Sequence, residues 1–299
     1  MRGRPRKSPA NTNSNKQPSL LQESTAASPR LILERMEQGI YLTDPALAAR
    51  DQLGVDLDPW QKNVITTLFR GNKKRVSVRA GHGVGKTFES AVISHIFLNN
   101  YPRSRVLITG PTSRQTRLQV WSYLNSVWQT NFLKDKIEWL KTKMYIKRHE
   151  ENWFCAWVTS KNHKNAEGFH GENLLWIIEE AKSVQDAVFE GVQGALSQVN
   201  NFIYISSTCG PPVGYFYETH TNRTDMWDIF HIPSWESPRV SPEKIEVWRK
   251  EWGEDSPIFQ ARVAAEFPEE SMYSIVPLSH LMRAVESDED DEPGIAATA

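Results

Sequence analysis

The stretch VSVRAGHGVGKT, Val76 to Thr87, joins an alternating apolar run to a glycine-rich turn that closes on Lys86-Thr87. The phosphate-loop pattern G-x-x-x-x-G-K-[ST] falls on Ala80 to Thr87, with alanine in place of the first glycine. That exchange is tolerated where the residue keeps a negative φ. Gly81, Gly83 and Gly85 let the backbone turn its N–H groups inward around His82 and Val84. Lys86 then serves the β- and γ-phosphates, the Thr87 hydroxyl ligates Mg²⁺, and the helix opening at Lys86 adds the positive end of its dipole. The expected nucleotide-binding set is Gly81, His82, Gly83, Val84, Gly85, Lys86 and Thr87. The alternative is a glycine-rich turn with a chance Lys-Thr. A strand before it, an amphipathic helix after it and a second motif downstream favour nucleotide.

That second motif is LLWIIEEA, five apolar residues running into Glu179-Glu180. A buried strand that delivers two carboxylates at its C-terminal edge places a metal-side acid and a catalytic acid beside the phosphates. The usual pair is Asp-Glu. Glu179 departs from it by one methylene but still reaches a Mg²⁺-bound water. Glu180 then polarises the water that attacks the γ-phosphate. Two charges capping a strand at the surface would be the plain reading without the phosphate loop upstream. Thr208, after the apolar strand FIYIS, is expected at the same sheet edge, where its hydroxyl contacts the γ-phosphate or the lytic water; a Ser/Thr turn is the competing reading. Arg79, one residue before the loop, offers a planar fork to developing charge, or pairs with Glu179 or Glu180.

These residues need a scaffold, and the chain supplies one. The runs RVSVRA, SRVLITGPT, FCAWVTS, NLLWIIEEA and NFIYISST look like buried strands, and KTFESAVISHIFL and RQTRLQVWSYLNSVWQ look helical. Such alternation argues for an α/β fold with a mostly parallel sheet covered by helices. RLILERMEQGIYLTD reads as an amphipathic helix ending near Gly39, and DPWQKNVITTLFRG as a helix with Asp58 as N-cap and Pro59 at its first position. At 299 residues with eleven Trp there is material for one large domain with a small lid. The expected division is a basic disordered tail over 1–27, an ATPase core over 28–213, a lid or linker over 214–280 and an acidic disordered tail over 281–299. A plain extension of the main sheet is the alternative to the lid. LLWII is far short of a membrane span and no hydrophobic leader follows the start, so the expected location is the cytoplasm. Cys155 and Cys209 read as buried thiols.

The ordered set of motifs resembles the ATPase part of the large terminase subunit of tailed bacteriophages, from about Asp58 to Val276. DPWQ is similar to that family's adenine-side motif, which implies that Gln61 reads the base and Trp60 packs nearby. RAGHGVGKT resembles its Walker A with the preceding Arg, implying that Arg79 senses the γ-phosphate in cis. ITGPTSRQTRLQVW resembles the segment after the second strand. GFHGENLLWIIEEAKSV resembles the approach to Walker B, SSTCG the coupling motif, and SPIFQARVAAEFPE the segment closing the ATPase region. The resemblance implies a P-loop fold with an extra strand between the Walker A and Walker B strands, to which SRVLITGPT and FCAWVTS contribute. It implies ATP with Mg²⁺, hydrolysis coupled to translocation of double-stranded DNA into a procapsid, and a homo-oligomeric, pentameric ring at the portal of the host-borne capsid. A portal protein and a small terminase subunit are the implied partners. Terminase large subunits continue into a nuclease domain, which is not expected here because an acidic stretch with little apolar material follows Leu281. No DNA cleavage is expected, and a separately encoded nuclease is an open alternative.

The net charge of −1 hides opposed ends: the first thirty residues hold six Lys/Arg and one Glu, whereas Glu286, Asp288, Glu289, Asp290, Asp291 and Glu292 crowd the far end. RGRPRK, Arg2 to Lys7, resembles a minor-groove AT-hook, with a solvated basic tail as the plainer reading. Lys134 to Glu150 carries six Lys/Arg against three acids. There Lys141, Lys143, Lys147 and Arg148 are candidate DNA contacts. A solvated face or a strand pair packed on the core is the competing reading, and Arg148 is alternatively a finger for a neighbouring subunit's nucleotide. Two further function classes stay open: a helicase-type DNA remodeller, and an ATP-dependent binding module with little hydrolysis.

Overall fold

The computed structural model describes residues 27–111, 114–159 and 169–269. The RGRPRK segment, the acidic run 286–292, residues 270–280 of the expected lid, and Thr112, Ser113, Ser160 and Gly168 of the quoted motifs lie outside the described residues.

Among the described residues four helices precede the sheet: α1 (Pro29–Glu37), α2 (Ile40–Thr43), α3 (Pro45–Leu53) and α4 (Pro59–Arg70). Three of them begin with Pro after Ser28, Asp44 or Asp58, where a missing N–H costs nothing. The first helix ends near Gly39 as expected, and Gly39, with a φ of 68°, starts α2 in a new direction. At α4 the Asp58 N-cap holds as expected, and Gln61 Oε1 accepts from the Asp58 N–H at 3.0 Å.

The main elements that follow among the described residues are β1 (Arg75–Ala80), α5 (Lys86–Asn100), β2 (Arg105–Thr109), α6 (Arg114–Thr130), β3 (Ile137–Trp139), β4 (Lys143–Ile146), β5 (Phe154–Trp157) and β6 (Asn173–Glu179). They continue with α7 (Asp186–Ala195), β7 (Asn200–Ser207), α8 (Tyr215–Thr219), β8 (Asp228–Ile232) and α9 (Pro242–Trp252). Among the described residues eight strands form one sheet in the order β3-β4-β5-β2-β6-β7-β1-β8. Its pairs are parallel except β3 with β4 and β4 with β5. The strand seated between the phosphate-loop strand β1 and the acidic strand β6 is β7, NNFIYISS. The expectation that SRVLITGPT and FCAWVTS provide it is corrected, because β2 and β5 lie on the far side of β6.

Strand alternation splits the sheet into two faces. Val76, Val78, Leu175, Ile177, Phe202 and Tyr204 pack in one core with α3, α4, α5 and α6. Leu174, Trp176, Ile178, Ile203 and Ile205 pack in a second core with α7 and α8. Every residue of β6 is buried, as a strand covered on both faces requires. The sheet runs past residue 213, where the core was expected to end: β8 adds beside β1 because Ile229 and its neighbours pair in register with Val76–Ala80. Beyond β8, α9 and the following turn close a small third cluster of Ile245, Phe259 and Val263. The segment after 213 is therefore partly sheet extension and partly a separate packing unit.

Candidate active site

Alternation along β6 decides where the acids go. Leu175, Ile177 and Glu179 share a face, so Glu179 points toward α5, where Thr87 Oγ1 donates to Glu179 Oε2 at 3.3 Å. Glu180 follows the last strand residue and takes the left-handed conformation, φ 49° and ψ 47°. A non-glycine residue held there costs of order 1 kcal/mol or more. The turn swings its carboxylate into the cleft, where Ser207 Oγ donates to Glu180 Oε2 at 3.4 Å. Register places Glu179 opposite Ser206, so Thr208 emerges from β7 beside Glu180.

The glycine turn forms the opposite wall. Gly85, at φ 98°, starts α5 with no side-chain cap, leaving the first N–H groups of a 15-residue helix facing the cleft. Lys86 Nζ folds back onto the loop and donates to Gly81 O at 2.8 Å and Ala80 O at 3.1 Å. Burial lowers the Lys86 pKa, and the charges of Glu180 and Glu179 oppose that shift. His82 is pushed down to about 4, by burial first and then by Lys86, Arg262 and Lys182, so it is neutral at physiological pH. The resulting cleft, about 340 Å³, is bounded by His82, Gly83, Gly85, Lys86 and Thr87, by Glu180 and Thr208, and by Phe88, Gln119 and Tyr123. Val84, expected among the nucleotide contacts, is buried beneath the loop.

The donor set suits a small hard cation. Glu179 is 2% exposed and its Oε1 has no hydrogen-bond partner among the described residues, while its other oxygen holds the Thr87 hydroxyl. Burial pushes this carboxyl up from 4.5 to about 7, with Glu180 adding to the rise and Ser90, Lys86 and Thr87 opposing it. An orphaned, desolvated oxygen beside a hydroxyl fits Mg²⁺, which prefers oxygen ligands.

The loop is anchored from behind by the end of β8 and the segment after it. Gly81 N–H donates to Ile232 O at 2.9 Å, His82 N–H to Arg262 O at 2.7 Å, and Ser234 Oγ to His82 O at 3.0 Å. A Cβ on Gly81 would lie 2.2 Å from Ser234 Oγ and 2.9 Å from both Ser234 N and Val263 O. Gly81→Ala is therefore expected to cost about 1–3 kcal/mol and to lower Tm measurably in a thermal melt; an unchanged Tm would contradict this packing.

Other expected residues fall differently. Arg79 is not brought to the cleft and pairs with neither Glu179 nor Glu180. Val76, Val78 and Ala80 take the α5 face of β1, so Arg79 and Ser77 take the other. Arg79 forms an ion pair with Glu266, and its guanidinium lies 5.6 Å from the centre of the Phe267 ring. Trp60 is buried in the core. Gln61 is fully buried, and its amide nitrogen reaches Gly85 O at 3.5 Å. Trp139 stacks on Trp128 at 5.2 Å, so the strand-pair reading of residues 134–150 holds for this aromatic.

Two residues were missed. Arg239 Nε donates to Asp58 Oδ2 at 2.6 Å, and its guanidinium lies 5.4 Å from the centre of the Phe88 ring, at the Gly85 edge of the loop. Nothing local in the sequence signals this contact, which spans 181 positions. Lys182 donates to Thr208 Oγ1 at 2.6 Å and to Cys209 O at 3.0 Å. Its closeness to Glu180 in EEAK was the available signal.

A phosphate-loop strand separated by one parallel strand from an acidic strand, with both edges opening on one cleft, defines a P-loop nucleotide-binding fold. In sequence the chain is 29% identical over 243 residues to the probable terminase, large subunit, of Enterobacteria phage P7. The match covers 74% of this chain and 48% of that protein, so the chain spans about half the length of this curated relative. The large terminase of a thermophilic bacteriophage superposes with a TM-score of 0.57 at 12% identity, over 70% of this chain and 53% of that one. The ATPase domain of the Thermus phage P74-26 large terminase superposes with a TM-score of 0.51 at 19% identity, over 72% and 95%. No family model matches the chain. The fold is that of large terminase ATPase domains, and the sequence resembles a terminase large subunit.

Proposed function

We propose that this chain is an ATP-hydrolysing motor that translocates double-stranded DNA into a viral procapsid. The observation that carries the reading is convergence: Lys86 and Thr87 from one strand end, and Glu179, Glu180 and Thr208 from two others, face a single cleft. The thermophilic bacteriophage's large terminase has been solved in complex with ADP, which supports a nucleotide in the corresponding fold.

In this reading the helix N-terminus and Lys86 take the phosphates, with Lys86 exchanging the Gly81 and Ala80 carbonyls for phosphate oxygens. Thr87 and Glu179 hold Mg²⁺, which when bound neutralises phosphate charge. Glu180, fixed by its left-handed turn and the Ser207 hydroxyl, accepts the proton of the attacking water. Thr208 sits where loss of the terminal phosphate changes its contacts, which makes it the coupling residue. Gln61 lies at the base side through Gly85. Arg79, held by Glu266, acts on the segment after α9 rather than on the phosphate.

The partners in this reading are duplex DNA, a portal protein, a small terminase subunit and further copies of the chain in a ring, working in the host cytoplasm. Among the described residues no helix is long and apolar enough to cross a membrane. DNA contact is assigned to the β3–β4 edge. Lys141, Lys147 and Arg148 are exposed there, whereas Lys143 packs its ammonium over the Phe154 ring at 4.4 Å. Replacing Lys141 and Arg148 with Glu is expected to weaken duplex binding about tenfold at low salt and to reduce its salt dependence, with DNA-free ATPase unchanged. Wild-type affinity in the variant would move the DNA surface elsewhere.

The experiment for the function as a whole is phosphate release by the purified chain with and without duplex DNA. DNA-stimulated release supports the motor. Separation of a tailed duplex would favour a helicase-type remodeller, and nucleotide binding without release a binding module.

A further inference from the structure

Two ammonium groups border this cleft: Lys86 lines it, and Lys182 stands one hydrogen bond behind Thr208, which lines it. Lys86 spends its donors on Gly81 O and Ala80 O, and Lys182 spends its own on Thr208 Oγ1 and Cys209 O. All four acceptors are neutral oxygens, and among the described residues neither lysine forms an ion pair with a carboxylate. Lys86 feels the charge of Lys182, and both feel Glu180. As a residue Lys182 is exposed, yet its ammonium is packed among protein atoms between the Thr208 hydroxyl and the Cys209 carbonyl. Its stem lies along Gly210, where a Cβ would meet Lys182 Cδ at 3.2 Å.

Two neighbouring cations whose ammonium groups bond only neutral oxygens repel each other and lose hydration, a cost that an anion between them reduces. Thr208 lines the cleft and Lys182 Nζ is one hydrogen bond behind it, on the wall opposite Lys86. Short 3₁₀ geometry over Ala181–Ser183 after the Glu180 turn brings the side chain back to that wall. Arg79, the cation expected for this task, is engaged by Glu266 on the other face of β1.

Resting on the ATPase reading above, we propose that Lys182 is the cis cation that recognises the terminal phosphate of bound ATP. Its ammonium leaves the Thr208 hydroxyl and the Cys209 carbonyl for the γ-phosphate oxygens, so a triphosphate frees the backbone beside Thr208 and a diphosphate does not. Lys86 serves both nucleotides; Lys182 serves only the longer one.

The test is equilibrium binding of a non-hydrolysable ATP analogue and of ADP, each with Mg²⁺, to the full chain and to Lys182→Ala and Lys182→Gln. Loss of a charge-assisted contact to phosphate is expected to weaken the ATP analogue about tenfold or more in both variants. ADP affinity is expected to stay within about twofold, which also reports an intact fold. Glutamine keeps a donor for Thr208 without the charge, so a wild-type ATP preference in Lys182→Gln overturns the proposal. Equal weakening of both nucleotides overturns it too, since that outcome marks a structural role. Failure of the unmodified chain to bind either nucleotide would instead sink the ATPase reading on which the proposal rests.

Discussion

Glu180→Gln is expected to lower ATP turnover by about 10²–10⁴-fold while nucleotide affinity stays within a few-fold. The amide keeps the volume and polarity of the side chain and removes only its ability to take a proton. Glu180 sits just past the end of β6 in a left-handed turn, a conformation costly for a side chain with a Cβ, and contacts Ser207 across the strand end. It lines the cleft opposite Lys86 and is the half-buried, accessible partner of the acidic pair, Glu179 being buried beside Thr87. Steady-state phosphate release paired with nucleotide binding separates the two effects. Full turnover in the variant would remove Glu180 from the chemistry, and parallel loss of binding would make it a structural residue.

Glu179→Gln is expected to abolish Mg²⁺-dependent turnover and, at neutral pH and above, to make the nucleotide-free protein more stable. Its folded carboxyl is raised from 4.5 to about 7, chiefly by burial. The folded state thus holds this proton more tightly than the unfolded chain does. Below pH 4.5 both states are protonated and nothing is lost. As pH rises from 4.5 to 7 the buried charge progressively destabilises the fold, and above pH 7 the full cost, about 3 kcal/mol, is present. Glutamine is neutral throughout, so the Tm advantage of the variant should be largest at pH 8 and fade toward pH 4. Mg²⁺ should raise the wild-type Tm more than that of the variant. A variant less stable than wild type at pH 8 would mean that Glu179 is a satisfied structural acid.

Much of the candidate site was legible because it depends on local rules. Gly81 to Thr87 encode a turn and a helix start, and the Asp58-Pro59 pair encodes another start. Five apolar residues before Glu179-Glu180 encode a buried strand whose end meets the loop. The facing of Arg79 was legible too: VSVRA alternates, so Val76, Val78 and Ala80 share one face and Ser77 and Arg79 the other. The rest depends on distant chain segments. Strand order is set by which apolar faces find each other, so β7 slips between β1 and β6 without any mark in its own sequence. β8 pairs with β1 from a stretch whose Asp228, Phe230 and Ile232 alternate too weakly to read as a core strand. Arg239 reaches Asp58 only because the segment after β8 passes over the loop. Trp139 stacks on Trp128 of α6, since an aromatic in a three-residue edge strand has a helix face to cover.

The most direct measurement is a crystal structure of this chain with Mg²⁺ and a non-hydrolysable ATP analogue. The account predicts the terminal phosphate held by Lys86, Mg²⁺ on the side of Thr87 and Glu179, and a water between that phosphate and the Glu180 carboxylate. A nucleotide bound elsewhere, or bound here with both glutamates turned away from its phosphates, would contradict it.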